Sequence, residues 1–213
     1  MVLERMDRIS ESTIRRLSGY LRVLDDLVQA GEGIASSKEL ADRTGVTSAQ
    51  VRKDLSHFGT FGRRGYGYEV ESLRAEIRGI LGVSRRWRVA IVGAGNVGSA
   101  LFAYKEFRER GFDVAAVFDA SGDRIGQRLG DLVIEPMERL GEICRERAIE
   151  IGVIAVPAKA AQEAADALVQ AGVRAVLNFA PRKLTVPRNV TLRDVNMAVE
   201  LESLAFALRV GTK

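Results

Sequence analysis

Three glycines carry the first chemical signal in this 213-residue chain. Gly93, Gly95 and Gly98, within Gly93-Ala94-Gly95-Asn96-Val97-Gly98, stand at the spacing G-x-G-x-x-G. They follow the apolar run "WRVAIVG" and open the helical pattern "NVGSALFAYKEFRERG". The chemistry is phosphate binding. The first glycine makes the tight turn, the second lets backbone approach a pyrophosphate, and the third lets helix and strand pack closely. The helix start adds free N–H groups and the positive end of the helix dipole. Asp119 ends the next apolar run, 21 residues after Gly98, where a carboxylate accepts ribose hydroxyls. That charge favours NAD(H) over NADP(H), with Arg124 standing nearby as an opposing charge. The turns Val156-Pro157 and Asn178-Phe179-Ala180-Pro181 close later strands, where ligands of such folds sit. Each is a ligand contact or an ordinary strand-ending turn.

A nicotinamide enzyme also needs a proton donor or acceptor beside its substrate. The one histidine, His57, lies far from this region in the chain, at the end of a helical pattern of the first half. Tyr104, Cys144, Lys159 and Lys183 remain, and Tyr104 and Lys159 do not form a Tyr-x-x-x-Lys pair. Little chain is left for a substrate domain. The glycine loop therefore reads as a sensor's site rather than a catalyst's. One cysteine and one histidine exclude an intrachain disulfide and the usual zinc sites. No catalytic and no metal residue is expected. Cys144 reads as packing, and no stretch approaches the ~18 apolar residues that span a bilayer. A reducing cytoplasm is the expected compartment.

The elements that must hold these residues fall into two grammars. All four prolines (Pro136, Pro157, Pro181, Pro187) and the β-branched runs lie in the second half. There "WRVAIVG", "FDVAAVFD", "EIGVIAVP", "RAVLNFAP" and "VTLRDV" read as strands alternating with helices, which implies a parallel sheet covered on both faces. In the first half, Ile14, Leu17, Leu21, Leu24 and Val28 form the stripe of a long helix ended by Gly31. Ser36 with Glu39, and Thr47 with Gln50, are capping boxes that start two short helices around the turn Thr44-Gly45-Val46. That is a helix-turn-helix pattern. "TFGRRGYGYEV" follows, with Tyr66, Tyr68 and Val70 alternating behind a basic tip, as a wing hairpin would. "VESLRAEIRGILG" is a connecting helix, and the boundary falls near Val83–Arg86.

The second short helix is the element that would enter a major groove. Ser48, Gln50, Arg52 and Lys53 lie on its early turns, in reach of base edges. Ser56 and His57 come later, in reach of phosphate, and Arg63 and Arg64 sit on the wing. The bulk charge does not add to this argument. The net charge is +4, and residues 1–84 hold 13 basic against 12 acidic residues. At the C-terminus, "MAVELESLAFALRVG" places Leu201, Leu204, Ala205 and Leu208 on one face and Phe206 elsewhere. It is either the last helix of the sheet domain or a helix that packs into a partner subunit.

Taken together, "QVRKDLSHFG", "RGYGYEV", "IVGAGNVGSAL", "FDASGDRIG", "VLNFAP" and "VELESLAFAL" resemble, in order and spacing, the Rex family of bacterial redox-sensing transcriptional repressors. The resemblance spans roughly residues 12–210. It implies a winged helix-turn-helix domain (1–84), a Rossmann-like NAD(H)-binding domain (85–195) and a C-terminal dimerisation helix (196–213) exchanged between subunits. It also implies a homodimer on palindromic operator DNA, released by NADH and acting on genes of respiration and fermentation. Phe179 would lie near the nicotinamide, and Arg22, Tyr104 and Asn196 match the family's switch positions. The chain departs from the pattern in two places. Asn196 stands where the family commonly has an acid, which would weaken the sensing contrast. Ser121 and Gly122 stand where an acid and a proline are usual. The alternatives are a small NAD(H)-dependent oxidoreductase with a helical accessory domain, and a constitutive DNA-binding protein with a vestigial nucleotide fold.

Overall fold

The computed structural model describes residues 9–62 and 65–211. The chain divides into two compact units, one ending at Arg85 and the other starting at Arg86.

The first unit is built on α1 (Glu11–Gln29). Ser10 caps its start by accepting from the Thr13 N–H. Its end follows from Gly31, whose φ of 75° turns the chain in the left-handed region. The Glu32 N–H then bonds the Leu27 carbonyl and the Gly31 N–H the Val28 carbonyl, so the last free carbonyls are satisfied. Leu17, Tyr20, Leu21, Leu24 and Leu27 are buried, whereas Ile14, expected in the stripe, is 45% exposed. Its place on the inner face is taken by Thr13, whose hydroxyl receives the Arg16 guanidinium. The helices α2 (Ser37–Thr44) and α3 (Ser48–Ser56) start at Ser36 and Thr47, whose side chains accept from the Glu39 and Gln50 N–H groups. Gly45, at φ 69°, makes the turn between them. Leu40, Ala41, Val51 and Leu55 join α1 in one core with Val70, Leu73 and Ile77 of α4 (Val70–Ile80).

Among the described residues, the wing's strand β2 (Tyr68–Glu69) pairs with β1 (Ile34–Ala35), ahead of α2. Tyr68 is buried and Tyr66 is 66% exposed. Two paired residues are too short a ladder to carry the alternation back to Tyr66, and Val70 already belongs to α4. The loop closes at its base through Gly62, where a Cβ would stand 2.4 Å from the Gly67 carbonyl oxygen.

The second unit has a seven-stranded sheet. Its strands are β3 (Trp87–Val92), β4 (Phe112–Asp119), β5 (Arg128–Leu129), β6 (Leu132–Pro136), β7 (Ile151–Ile154), β8 (Ala175–Asn178) and β9 (Thr191–Asp194). The order is β5-β6-β4-β3-β7-β8-β9, parallel throughout except for the β5–β6 edge pair. Without that edge strand the order is the doubly wound dinucleotide-binding one, which reverses between β3 and β7. Both faces are covered, as the apolar strands require. Ala90, Val92, Ala116, Phe118 and Ile154 face α7 (Leu140–Glu146) and α8 (Ala161–Gln170), while Val89, Ile91, Val117 and Val153 face α5 (Asn96–Ala103). The helical pattern expected from Asn96 onward is broken at Tyr104, whose ψ of 98° is extended; α6 (Lys105–Glu109) resumes after it. The chain ends in α9 (Met197–Val210).

Candidate nucleotide site and nucleic-acid interface

The glycine loop leaves β3 where the strand order reverses. The Gly93 N–H is tied back to the Phe118 carbonyl of β4 at 2.7 Å, and the Ala155 N–H to the Val92 carbonyl at 2.8 Å. Each glycine has a separate steric reason. Gly93 has φ 103°, and a Cβ there would lie 2.5 Å from the Ala155 carbonyl oxygen. A Cβ on Gly98 would lie 1.8 Å from the Gly93 carbonyl oxygen, so α5 can sit this close to the turn only without a side chain. At Gly95 a Cβ would meet only Arg124 Nη1, 3.9 Å away. The middle glycine therefore leaves its backbone open on the outer side, which is the cradle a pyrophosphate needs. Asn96 and Val97, the first residues of α5, are exposed beside it.

Asp119 ends β4 and is buried. One carboxylate oxygen accepts from the Ala94 N–H at 2.7 Å and the other from the Ser121 N–H at 2.8 Å. Arg124 Nη1 approaches at 3.4 Å. The carboxylate thus fastens the glycine loop to the turn after β4 while standing at its edge. Ser121, one of the two departures from the usual pattern, uses its backbone here, and that contact does not depend on the side chain.

The two later turns end the neighbouring strands β7 and β8. Val156 and Phe179 are half-buried, and Pro157 and Pro181 are exposed. Asn178 is buried, and its amide is spent on the turn. It donates to the Arg182 carbonyl (2.9 Å) and to Asp194 (2.8 Å) and accepts from the Ala180 N–H (2.9 Å). Arg182 reaches the Ala158 carbonyl at 3.3 Å and links the two turns. Asn178 and Ala180 hold this turn, and Phe179 packs on the cluster containing Ala94. The two turns lie side by side, and the difference between residues that hold them and those that face outward was not legible in the sequence.

In the first unit, α3 exposes Ala49, Arg52, Lys53, Ser56 and His57. Ala49, Arg52, Lys53 and Ser56 repeat at steps of three and four and form one stripe. Ser48 and Gln50 are half-buried. Arg52 donates to the Ser37 hydroxyl at 3.0 Å, which holds its guanidinium at the start of α2. Arg63 and Arg64 lie outside the described residues. The basic sequence around α3 hid a buried anion. Asp54 is fully buried, with Arg16, Tyr20 and Gln50 donating to it. Burial alone would raise its carboxyl, but the hydrogen bonds from Arg16, Tyr20 and Gln50 hold it below the usual carboxylate range. Burial and the Asp54 charge push the Tyr20 phenol well up. The signal was legible: Asp54 sits between Val51 and Leu55, on the helix's inner side.

Among the residues matched to switch positions, Arg22 is exposed on α1. Tyr104 is half-exposed at the α5–α6 break; its hydroxyl bonds Glu106 and its ring meets the Phe107 edge with centroids 5.2 Å apart. Asn196 caps α9 by accepting from the Ala198 N–H at 3.1 Å. Cys144 is buried, which pushes its thiol up to about 11 and removes it from thiolate chemistry near neutral pH. Among the described residues no cluster of His, Cys, Asp or Glu could hold a metal ion. No described helix is long and apolar enough to cross a membrane.

Known proteins resemble both units in their order. The family described as "CoA binding domain" matches residues 84–182, and that described as "Putative DNA-binding protein N-terminus" matches residues 8–56. The "Redox-sensing transcriptional repressor Rex" of Carboxydothermus hydrogenoformans is 50% identical, over 95% of this chain and 97% of its own. That of Chloroflexus aggregans is 44% identical, over 97% of each. A solved structure of RSP with β-NAD+ and operator DNA matches with a TM-score of 0.90 at 36% identity, covering 95% of this chain and 94% of the other. RSP with β-NADH matches with a TM-score of 0.86 at 34% identity, covering 96% of each.

Proposed function

The chain belongs to the Rex family of redox-sensing transcriptional repressors, and on that premise we propose how its own residues do the work. It is a DNA-binding repressor that senses NADH against NAD+, not an enzyme. One observation carries this reading. A cradle with the steric form of a dinucleotide site and a helix-turn-helix stand in one chain, in the order found in a relative solved with both NAD+ and operator DNA.

The Gly93–Gly98 loop and the start of α5 hold the pyrophosphate. Two backbone N–H groups already bind the Asp119 carboxylate, which keeps acceptor capacity for a ribose hydroxyl. Val156, Pro157 and Pro181 wall the nicotinamide side, Phe179 lies beside the ring, and Asn178 and Ala180 keep that turn in shape. When bound, the dinucleotide supplies a redox-dependent charge, positive on the oxidised ring and neutral on the reduced one. On the DNA side, Arg52 and Lys53 reach base edges, with Ser48 and Gln50 at the same end of α3. Ser56, His57, Arg63 and Arg64 meet the backbone or the minor groove. Arg22, Tyr104 and Asn196 take part in the switch between the two states.

The helix α9 exposes Leu201, Leu204, Phe206 and Leu208 at 61–85%. Leu201, Leu204 and Leu208 share one face, and an exposed apolar stripe of this kind marks an interaction site. We assign it to a second copy, in a homodimer whose two reading helices engage a palindrome in the cytoplasm. NADH lowers operator affinity by preferring the state that cannot engage both half-sites, since equal affinity for both states would shift nothing.

The deciding experiment is a fluorescence-anisotropy titration of a labelled palindromic operator with the full chain at one fixed salt concentration. NADH is expected to release the DNA and NAD+ to leave it bound. Release by neither nucleotide would reject the sensing role.

A further inference from the structure

Asp54 is a fully buried carboxylate in the last turn of α3. Its Oδ1 accepts from Arg16 Nη2 and from Gln50 Nε2, both at 2.8 Å. Its Oδ2 accepts from Arg16 Nε at 2.6 Å and from the Tyr20 hydroxyl at 2.8 Å. A carboxylate offers about four acceptor sites, so these donors complete its shell. Arg16 and Tyr20 come from α1, and Gln50 comes from α3 itself. Apolar burial is non-directional and lets a helix roll over the face it covers. A two-pronged guanidinium–carboxylate pair fixes direction as well as distance. The Asp54 shell is therefore what sets the roll of α3 on α1.

Gln50 has to be placed on one side of this arrangement. Its amide could pair with an adenine edge. Turning the amide outward would leave a buried, charged oxygen short of a donor, and such a deficit costs more than a solvent-exposed hydrogen bond returns. Gln50 also lies roughly a third of a turn from the centre of the exposed Ala49, Arg52, Lys53 and Ser56 stripe. We propose that Gln50 is a positioning residue and not a base reader: it completes the Asp54 shell, which aims that stripe at the groove. This inference rests on the proposed role of α3 as the reading helix.

The test uses the full chain and a duplex selected by the wild-type protein from a randomised palindromic pool. Affinity is measured at one salt concentration for this duplex and for a panel in which each base pair is replaced in turn. Gln50→Ala is a favourable change within a helix, so the unit should fold; thermal melting and unchanged NADH binding verify that it does. Gln50→Ala is expected to weaken every duplex by one common factor of about three- to tenfold, leaving their ranking intact. Arg52→Ala should instead flatten the ranking at a particular base pair. In an Asp54→Asn background, Gln50→Ala should lose most of its effect. Loss of preference at one base pair on Gln50→Ala overturns the proposal, and the ranking alone decides if Asp54→Asn does not fold. If Arg52→Ala and Lys53→Ala leave every affinity unchanged, α3 does not read DNA, and this inference falls with that reading.

Discussion

Gly98 and Asp54 are single residues whose surroundings leave almost no freedom of substitution, for opposite reasons. At Gly98 the constraint is space. A Cβ at 1.8 Å from the Gly93 carbonyl oxygen cannot be relieved by a side-chain rotation, because the obstacle is backbone. Gly98→Ala should push α5 off the turn and weaken NADH binding well over tenfold, a change of ~1.4 kcal/mol or more. Operator binding without nucleotide should persist. Fluorescence titration with NADH checks this, and wild-type affinity would remove the loop from the site. At Asp54 the constraint is charge. Removing the Asp54 carboxylate lets the partly exposed Arg16 turn to water but leaves the buried Tyr20 hydroxyl without its acceptor, at a cost of about 1–3 kcal/mol. Because the folded state holds the Asp54 carboxyl below its usual range, its stabilising contribution is present above the unfolded value of about 4 and fades as pH falls through the lower folded value. Melting curves from neutral pH down to acid should therefore show wild type losing stability and Asp54→Ala, already weak, losing less. Parallel curves for the two proteins would contradict the sign.

Elements separate what was legible in the sequence from what was not. The capped starts of α2 and α3 were readable because capping is local: Ser36 and Thr47 each bond an N–H three residues on. The β3, β4, β7 and β8 runs were readable because a strand buried on both faces is apolar throughout. The edge strand β5 and its neighbour β6 were missed, since their few residues carry no period and their place is set by pairing, β6 on β4 and β5 on β6. The break at Tyr104 was missed because no glycine or proline marks it. At the site, the loop glycines and Asp119 were found from spacing, but the partners of Asp54 were not. Arg16 and Tyr20 lie 38 and 34 residues from it, and only tertiary packing brings them there, whereas Gln50 reaches it across one turn of the same helix. The helix α9 was half-legible: its apolar surface was plain, and what covers it was not. With Leu204 and Leu208 exposed at 61% and 85%, the double change Leu204→Glu, Leu208→Glu should leave this unit's fold intact. It should shift the protein from dimer to monomer at micromolar concentration, as read by sedimentation, and weaken operator binding by losing one half-site. A dimer that survives both changes would move the interface elsewhere.

At the scale of the whole molecule, the function is a coupling between two ligands on two compact units, and its size is bounded by thermodynamics. If NADH lowers operator affinity by some factor, operator must lower NADH affinity by the same factor, because both describe one difference between two states. A shift from nearly all bound to nearly all released needs NADH to prefer the released state about ten-thousandfold, ~5.5 kcal/mol, whereas ordinary coupling is ~1–3 kcal/mol. The realistic expectation is an affinity change of about 5- to 150-fold, so NADH releases the operator where the protein concentration lies between the two affinities. Asn196 bears on this number. It caps α9 through its side-chain oxygen, and Asp caps equally well while adding a charge that the N-terminal helix dipole favours. Asn196→Asp should therefore leave α9 in place and act only on the coupling, enlarging it if an acid at this position sharpens the contrast between the two nucleotides. The measurement is NADH affinity with and without saturating operator, set against operator affinity with and without saturating NADH, for both proteins at one salt concentration. Equal factors in each pair, larger in Asn196→Asp, are the expected result. Unequal factors would mean that one titration had not reached equilibrium, and equal factors unchanged by the substitution would take Asn196 out of the switch.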